Sequence, residues 1–160
     1  MPASITAFDR AFAITVGHEG GYSTNPADPG NWTGGAPNQG ELRGTKFGIS
    51  AASYPDLDIA ALGLVEACAI YKRDYWDRIG ADKLPPPLAL LAFDAAVNND
   101  VGRARQWLAQ AAREPDTRNA CVELMARRTD FMAQLPGWRN FGLGWSRRLA
   151  RLPYEVMAHD

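Results

Sequence analysis

From Tyr22 to about Lys46 the chain is dense in Gly, Pro, Asn and Asp and shows neither helical nor strand periodicity. A loop this long inside a domain is functional or disordered far more often than it is a plain connection. Tyr22, Trp32 and the several prolines favour an ordered one. It leaves room for a short hairpin that ends at Lys46-Phe47-Gly48-Ile49-Ser50. Any fold open to this chain must therefore hold a long, shaped loop on a scaffold made by the rest.

That rest reads as helices. A first helix is expected from about Ser4 to Glu19, with Thr6 and Asp9 at capping-box spacing. Ile5, Phe8, Phe12 and Val16 fall on one face, and the next step along it is Glu19. Gly20 and Gly21 then permit the chain to leave the helix. A second helix is expected over about Asp58 to Arg78, broken near Gly63. A third begins at Pro87 and runs to Asn98, with Leu90, Phe93 and Val97 as its stripe. Further segments run from Val101 to Ala112, from the Pro115-Asp116-Thr117 turn to Leu135, and from Trp138 to Leu152. The fold class expected is mainly α, one domain of two lobes with a small β-hairpin region. The division is expected at the triple proline, giving residues 1–84 and 85–160, with positions 80–87 as the hinge.

Composition narrows the function classes. The 160 residues are 46% hydrophobic and 22% charged, with a net charge of −1, so no global field draws the protein to nucleic acid or to an anionic membrane. No apolar run is long enough to span a bilayer. Asp9 and Arg10 interrupt the apolar N-terminus, which reads as a helix of the fold and not as a signal peptide. Cys68 and Cys121 sit in helical segments and read as small buried hydrophobes, not as a disulfide. GxGxxG and Walker patterns are absent, which argues against a nucleotide site.

The chemistry concentrates in Gly17–Trp32. A carboxylate at the edge of a buried helical stripe is costly to ionise, and the negative end of a helix dipole pushes the same way. A Glu19 placed so is a candidate general acid, against the alternative of a surface Glu at a frayed helix end. Asp28, in Asn25-Pro26-Ala27-Asp28-Pro29-Gly30, offers the second carboxylate that glycoside hydrolysis commonly uses; it is equally a turn former. Thr45 offers a hydroxyl that could hold an attacking water. Tyr22, Tyr75 and Trp76, with Asn98, are candidates to line a carbohydrate cleft, since sugar rings stack on aromatic faces. Asp94 is expected to hold the loop after the first helix by hydrogen bonds, and Arg147, Arg148 and Arg151 read as a solvated face. His18-Glu19 begins a zinc-protease pattern, but Tyr22 stands where the second His is required, so no metal or other cofactor is expected.

Several blocks together resemble glycoside hydrolase family 108, the N-acetylmuramidases of phage and prophage endolysins and lysozyme-like secretion proteins. They are His18-Glu19-Gly20-Gly21-Tyr22, Asn25-Pro26-Ala27-Asp28-Pro29-Gly30 and Thr45-Lys46-Phe47-Gly48-Ile49, then Ile70 to Trp76, Leu90 to Asn99 and Phe141 to Arg148. The resemblance implies a lysozyme-like fold, a catalytic glutamate at Glu19, and a C-terminal region described as peptidoglycan-binding. The order Glu, Asp, Thr is similar to phage-type lysozymes and points to Asp28 and Thr45 as helpers. Asn31 to Gly44 stands as an insertion relative to shorter members.

The reaction expected is hydrolysis of the β-1,4 bond between N-acetylmuramic acid and N-acetylglucosamine in peptidoglycan. A lytic transglycosylase and a non-catalytic peptidoglycan-binding module are the alternatives. The partner expected is the glycan strand, met by a monomer. With no recognisable signal, a cytoplasmic pool would need a holin-like or secretion partner to reach the cell wall.

Overall fold

The computed structural model describes residues 5–17 and 21–157. Its elements are α1 (Ala7–Thr15), β1 (Thr45–Lys46), β2 (Ile49–Ser50), α2 (Leu64–Tyr71), α3 (Pro86–Asn98), α4 (Val101–Ala111), α5 (Thr117–Ala133) and α6 (Trp138–Met157). The expectation of a mainly α chain with a small hairpin is met. By packing, the chain forms two compact units. One is Met1–Thr15 with Arg73–Asp160, and the other is Val16–Lys72. This partition by packing differs from the division at 84/85 expected from the sequence. The reason is that α1 packs on α3, so the first helix belongs with the C-terminal part.

In the first unit α3 is the central helix. Every residue from Leu88 to Ala96 is buried, well beyond the one stripe expected, and α1, α4, α5 and α6 pack around it. A helix apolar on all sides is one that must be surrounded. Phe8, Trp76 and Phe93 meet edge-on with ring centroids 5.4 to 5.9 Å apart. Trp76 is 1% exposed, and its indole N–H donates to Asp82 at 2.7 Å. It is thus a core residue, and its expected role as a cleft-lining side chain is corrected: neither ring face is available for stacking.

The start of α1 follows the sequence closely. Thr6 N donates to Asp9 Oδ2 at 2.9 Å and Asp9 N to Thr6 Oγ1 at 3.1 Å, the reciprocal capping box expected. The Thr6 hydroxyl, which donates to Asp9 Oδ2 at 2.7 Å, and after it Thr6 N hold the Asp9 carboxyl below its ordinary value. The end of α1 does not follow it. The helix stops at Thr15, and Gly17 takes a φ of +77°. The helical stripe therefore ends before it reaches Glu19, which lies outside the described residues. Ile5, expected on that stripe, is exposed. The second helix is likewise shorter than expected. Gly63 caps α2, and after Tyr71 the chain widens into a π-helical turn over Lys72–Trp76.

A buried ion network fixes the first unit. Asp94 on α3 and Arg128 on α5 are both fully buried, with Arg128 Nη1 2.8 Å from Asp94 Oδ1. Arg128 Nε donates to Asn99 Oδ1 at 2.8 Å. Nη1 is not aligned to donate to Asp94, so that contact is an ion pair without a directed hydrogen bond. Burial pulls the Arg128 guanidinium below its ordinary value, and Asp94 opposes the shift. Arg148 on α6 completes the network. Its Nη2 binds Asp94 Oδ2, its Nε lies 3.3 Å from Asp94 Oδ1, and Nη2 also donates to Thr15 O at 3.2 Å. Arg148 is therefore not part of a solvated face, as the sequence suggested. Among the described residues Asp94 is linked through this arginine to Thr15, the last residue of α1, and not to the loop after the helix as expected.

Trp76 supplies the first test. Trp76→Phe keeps an aromatic ring but loses the bond to Asp82, so stability should fall by about 1–2 kcal/mol. Binding of glycan should stay at the wild-type level. Chemical denaturation beside a binding isotherm reads both.

Candidate functional site

The unit Val16–Lys72 is organised by backbone hydrogen bonds at its loop. Asn25 starts it: its side chain accepts from Ala27 N at 3.0 Å, and its carbonyl accepts from Asp28 N at 3.1 Å and from the Asn31 side chain at 2.9 Å. Asp28 then caps a single 3-10 turn, Pro29–Asn31, with Oδ1 accepting from Gly30 N at 2.9 Å. The Trp32 indole N–H donates back to Pro26 O at 2.9 Å. The loop expected to be ordered is ordered by its polar groups.

The inserted stretch closes on itself. Trp32 pairs with Leu42 across a narrow antiparallel bridge, and Thr33 N donates to Glu41 O at 2.9 Å. Asn31 is fully buried, and its carbonyl accepts from both Arg43 N and Gly44 N at 3.0 Å. The excursion thus returns to where it left. Thr45 follows at once and exchanges two 2.9 Å backbone bonds with Ser23. It then pairs with Ser50 in the hairpin. Phe47 and Gly48 connect the strands with φ of 52° and 74°, the two positive angles of a type I′ turn. The Tyr71 hydroxyl donates to Phe47 O at 2.9 Å and holds that turn on α2.

Asp28 and Thr45 come together around Gly30. A Cβ on Gly30 would stand 3.2 Å from Asp28 Oδ1, 3.6 Å from Ser50 Cβ and 3.9 Å from Thr45 Oγ1. Asp28 spends Oδ1 on its own turn; among the described residues Oδ2 and the Thr45 hydroxyl have no hydrogen-bond partner. Asp28 is exposed and Thr45 half-buried. Tyr22 is 47% exposed, its hydroxyl donates to Arg43 O at 3.0 Å, and its ring lies over Gly44. With Leu42, Arg43, Asp56, Asp58 and Ile59 it borders a pocket of about 380 Å³. Asp28, Thr45 and Tyr22 therefore share one unit.

Tyr75, Trp76 and Asn98 belong to the other. Tyr75 is half-buried in the π turn, and Asn98 ends α3, exposed, with its side chain donating to Asp94 O at 2.9 Å. A cavity of about 920 Å³ also lies in that unit. Leu91, Cys121, Val122, Met125, Leu149 and Pro153 line it, and none of the candidate catalytic or glycan-contact residues does. Cys68 and Cys121 are not joined in a disulfide, and both are half-buried, less enclosed than the sequence suggested. No cluster of His, Cys, Asp or Glu among the described residues could hold a metal ion, and none of their helices is long and apolar enough to cross a membrane.

The loop, the hairpin and the central helix fall inside one family model, Glycosyl hydrolase 108, which matches residues 12–99. The chain belongs to this family. A solved structure, SagA of Brucella abortus, is similar along the length of both chains: 24% identity, 94% of each covered, TM-score 0.73. That likeness shows the fold, and the lysozyme-like class expected from the sequence is shown with it. Among curated proteins no sequence match is found. The family makes the chain a glycosyl hydrolase. Its model spans Glu19, Tyr22, Asp28, Thr45, Tyr75, Trp76 and Asn98, and ends before Arg128 and Arg148.

Gly44 offers a test of the loop's closure. Its φ is +86°, and a Cβ there would stand 2.5 Å from Ser23 O and 2.7 Å from the Tyr22 ring. Gly44→Ala should cost about 1–3 kcal/mol of stability, from strain at a positive φ added to the clash. It should also speed amide exchange at Ser23 and Thr45, which hydrogen-exchange mass spectrometry reads.

Proposed function

We propose that the protein is a peptidoglycan hydrolase that cleaves the β-1,4 bond between N-acetylmuramic acid and N-acetylglucosamine. The observation that carries this reading is the pairing of Asp28 and Thr45 around Gly30, within the segment that matches the family. In this scheme Glu19 is the general acid that protonates the leaving glycosidic oxygen. A positively charged, oxocarbenium-like sugar then develops and needs an anion or a placed water beside it. Asp28 Oδ2 and the Thr45 hydroxyl have hydrogen-bonding capacity to spare for that task. Asp28 Oδ1 is tied to Gly30 N, which holds the carboxylate in one orientation.

Tyr22 is the aromatic group we assign to sugar contact. Its hydroxyl is anchored on Arg43 O, so the ring is held in place while about half of the residue faces solvent. The unit Val16–Lys72 supplies Glu19, Asp28 and Thr45. Tyr75 and Asn98 are separate candidates for glycan contact. The substrate sets the place of action at the cell wall, with the protein acting as a monomer along glycan strands.

Glu19→Gln keeps the side chain's shape and removes its proton. The rate of release of reducing ends from sacculi should fall by at least about 10²-fold, the scale of a lost general acid. Mass spectrometry of the digested muropeptides should show hydrated reducing ends. Anhydro ends would identify a lytic transglycosylase, and retention on sacculi without products would identify a binding module.

Asp28→Asn and Thr45→Ala separate the two helpers. Each should lower kcat while leaving binding of soluble glycan within about twofold. Asp28→Asn should have the larger effect, because it removes a charge where Thr45→Ala removes a hydroxyl. Steady-state kinetics on soluble peptidoglycan fragments measures both.

A further inference from the structure

α5 carries five charged side chains, and three of them are answered within the chain. Glu123 and Arg127 pair with each other at 2.5 Å, and Arg128 is paired with Asp94. The other two, Arg118 and Asp130, have no side-chain hydrogen bond or ion pair among the described residues. Neither helps its own helix. Arg118 stands in the first turn of α5 and Asp130 in the last, so each meets the end of the helix dipole that shares its sign. These same two residues are the charged groups on the lining of the 920 Å³ cavity, one toward each end of α5.

Between them the lining is apolar. Val122, Met125 and Ala126 of α5 and Leu149, Pro153 and Val156 of α6 contribute to it. Val122 is 64% exposed, although nothing about an apolar side chain favours contact with water. Arg118 and Asp130 are 12 residues apart. That separation is about 18 Å along a helix axis. The cavity is therefore an elongated apolar groove with an unanswered positive charge at one end and an unanswered negative charge at the other.

We propose that this groove binds an amphipathic α-helix of a partner protein, one that brings an acidic side chain to Arg118 and a basic side chain to Asp130. Helices supply that pattern readily. Acidic residues favour the first turn and basic residues the last, and an apolar stripe at i, i+3, i+4 and i+7 lies between them. The partner's N-terminus then sits beside Arg118. The stripe supplies the buried area, and the two charges fix direction and register. A single acyl chain fills the apolar part but answers at most one of the two charges. α5 and α6 lie beyond the stretch that matches the family model, and the proposal is independent of the role assigned to Glu19.

The probe is a synthetic Ala-rich peptide of about 16 residues with Leu at i, i+3, i+4 and i+7, Glu in its first turn and Lys in its last. Fluorescence anisotropy reads its binding to the full chain, and thermal unfolding shows that each variant is folded. The wild type should bind it saturably, with Kd below about 100 μM. Val122→Asp, at an exposed position, should keep the fold and weaken binding by at least about tenfold. Arg118→Glu should weaken it by at least about fivefold, and a peptide with Lys in place of its Glu should bind Arg118→Glu more tightly than it binds the wild type. In a Cys68→Ser background, bound peptide should slow alkylation of Cys121, which lines the groove. Absence of saturable binding overturns the proposal. So does binding that Val122→Asp and Arg118→Glu leave unchanged, because the peptide would then sit elsewhere. A dimer in analytical ultracentrifugation that Val122→Asp disperses would make a second copy the occupant. Sedimentation with phosphatidylglycerol vesicles that Val122→Asp abolishes would make it a lipid. Each of these two results also overturns the proposal.

Discussion

One carboxylate organises the helical part of this molecule. Asp94 is the only charged residue in the buried stretch of α3, and it takes a guanidinium from α5 and another from α6. Moving such groups out of water is expensive, and their mutual attraction offsets the cost only when partners and geometry are in place. Removing one partner would leave a buried charge uncompensated, at a cost of about 3–5 kcal/mol. Arg128 adds a bond to Asn99 at the end of α3, and Arg148 adds one to the end of α1. Four helices are thereby referred to a single side chain.

The unit Val16–Lys72 is held by a different kind of interaction. Its two-residue strands bury few side chains, and its longest segment is loop. Order comes from backbone donors and acceptors answered nearby: Asn31 O by two amides, Asp28 Oδ1 by Gly30 N, Ser23 by Thr45, and Phe47 O by Tyr71. Such a loop can be shaped closely without a large core, provided that each polar group is answered. Asp28 and Thr45 stand here, with polar atoms near solvent that a close-packed helical core would enclose.

The sequence made the helices legible where their signals are local. The Thr6/Asp9 capping box, Gly63 before α2, the prolines before α3 and Asp116 before α5 each act within a turn or so of chain. The hairpin at Lys46 to Ser50 was legible for the same reason. The ends that depend on distant partners were not. The apolar stripe of α1 continued on paper to Glu19, but the helix stops at Thr15, where Arg148 from the far end of the chain receives its carbonyl. Trp76 carried the polar and aromatic neighbours of a sugar site, yet Phe8 and Phe93 enclose it. Arg128 was not singled out at all. A lone arginine inside an amphipathic pattern looks solvated until the buried carboxylate it pairs with is known. Within the candidate site, the pairing of Asp28 with Thr45 came from the order of residues alone, and no periodicity in the loop foretold the approach around Gly30.

That approach shows which part of a loop's length matters. The insertion places Thr45 far along the chain from Asp28, and spacing alone would separate them. Loop-closure entropy grows only slowly, by about 0.6 kcal/mol for each doubling of length, so added residues do not by themselves pull a site apart. What decides is whether the added chain returns to its starting point. Here it does, because Asn31 O binds Arg43 N and Gly44 N, and Gly44 has the one backbone conformation that lets the next residue meet Ser23. Residues 32–42 thus hang from a closed neck. The bonds of Asn31 O to Arg43 N and Gly44 N, with the approach around Gly30, hold Asp28 and Thr45 near each other despite the residues between them.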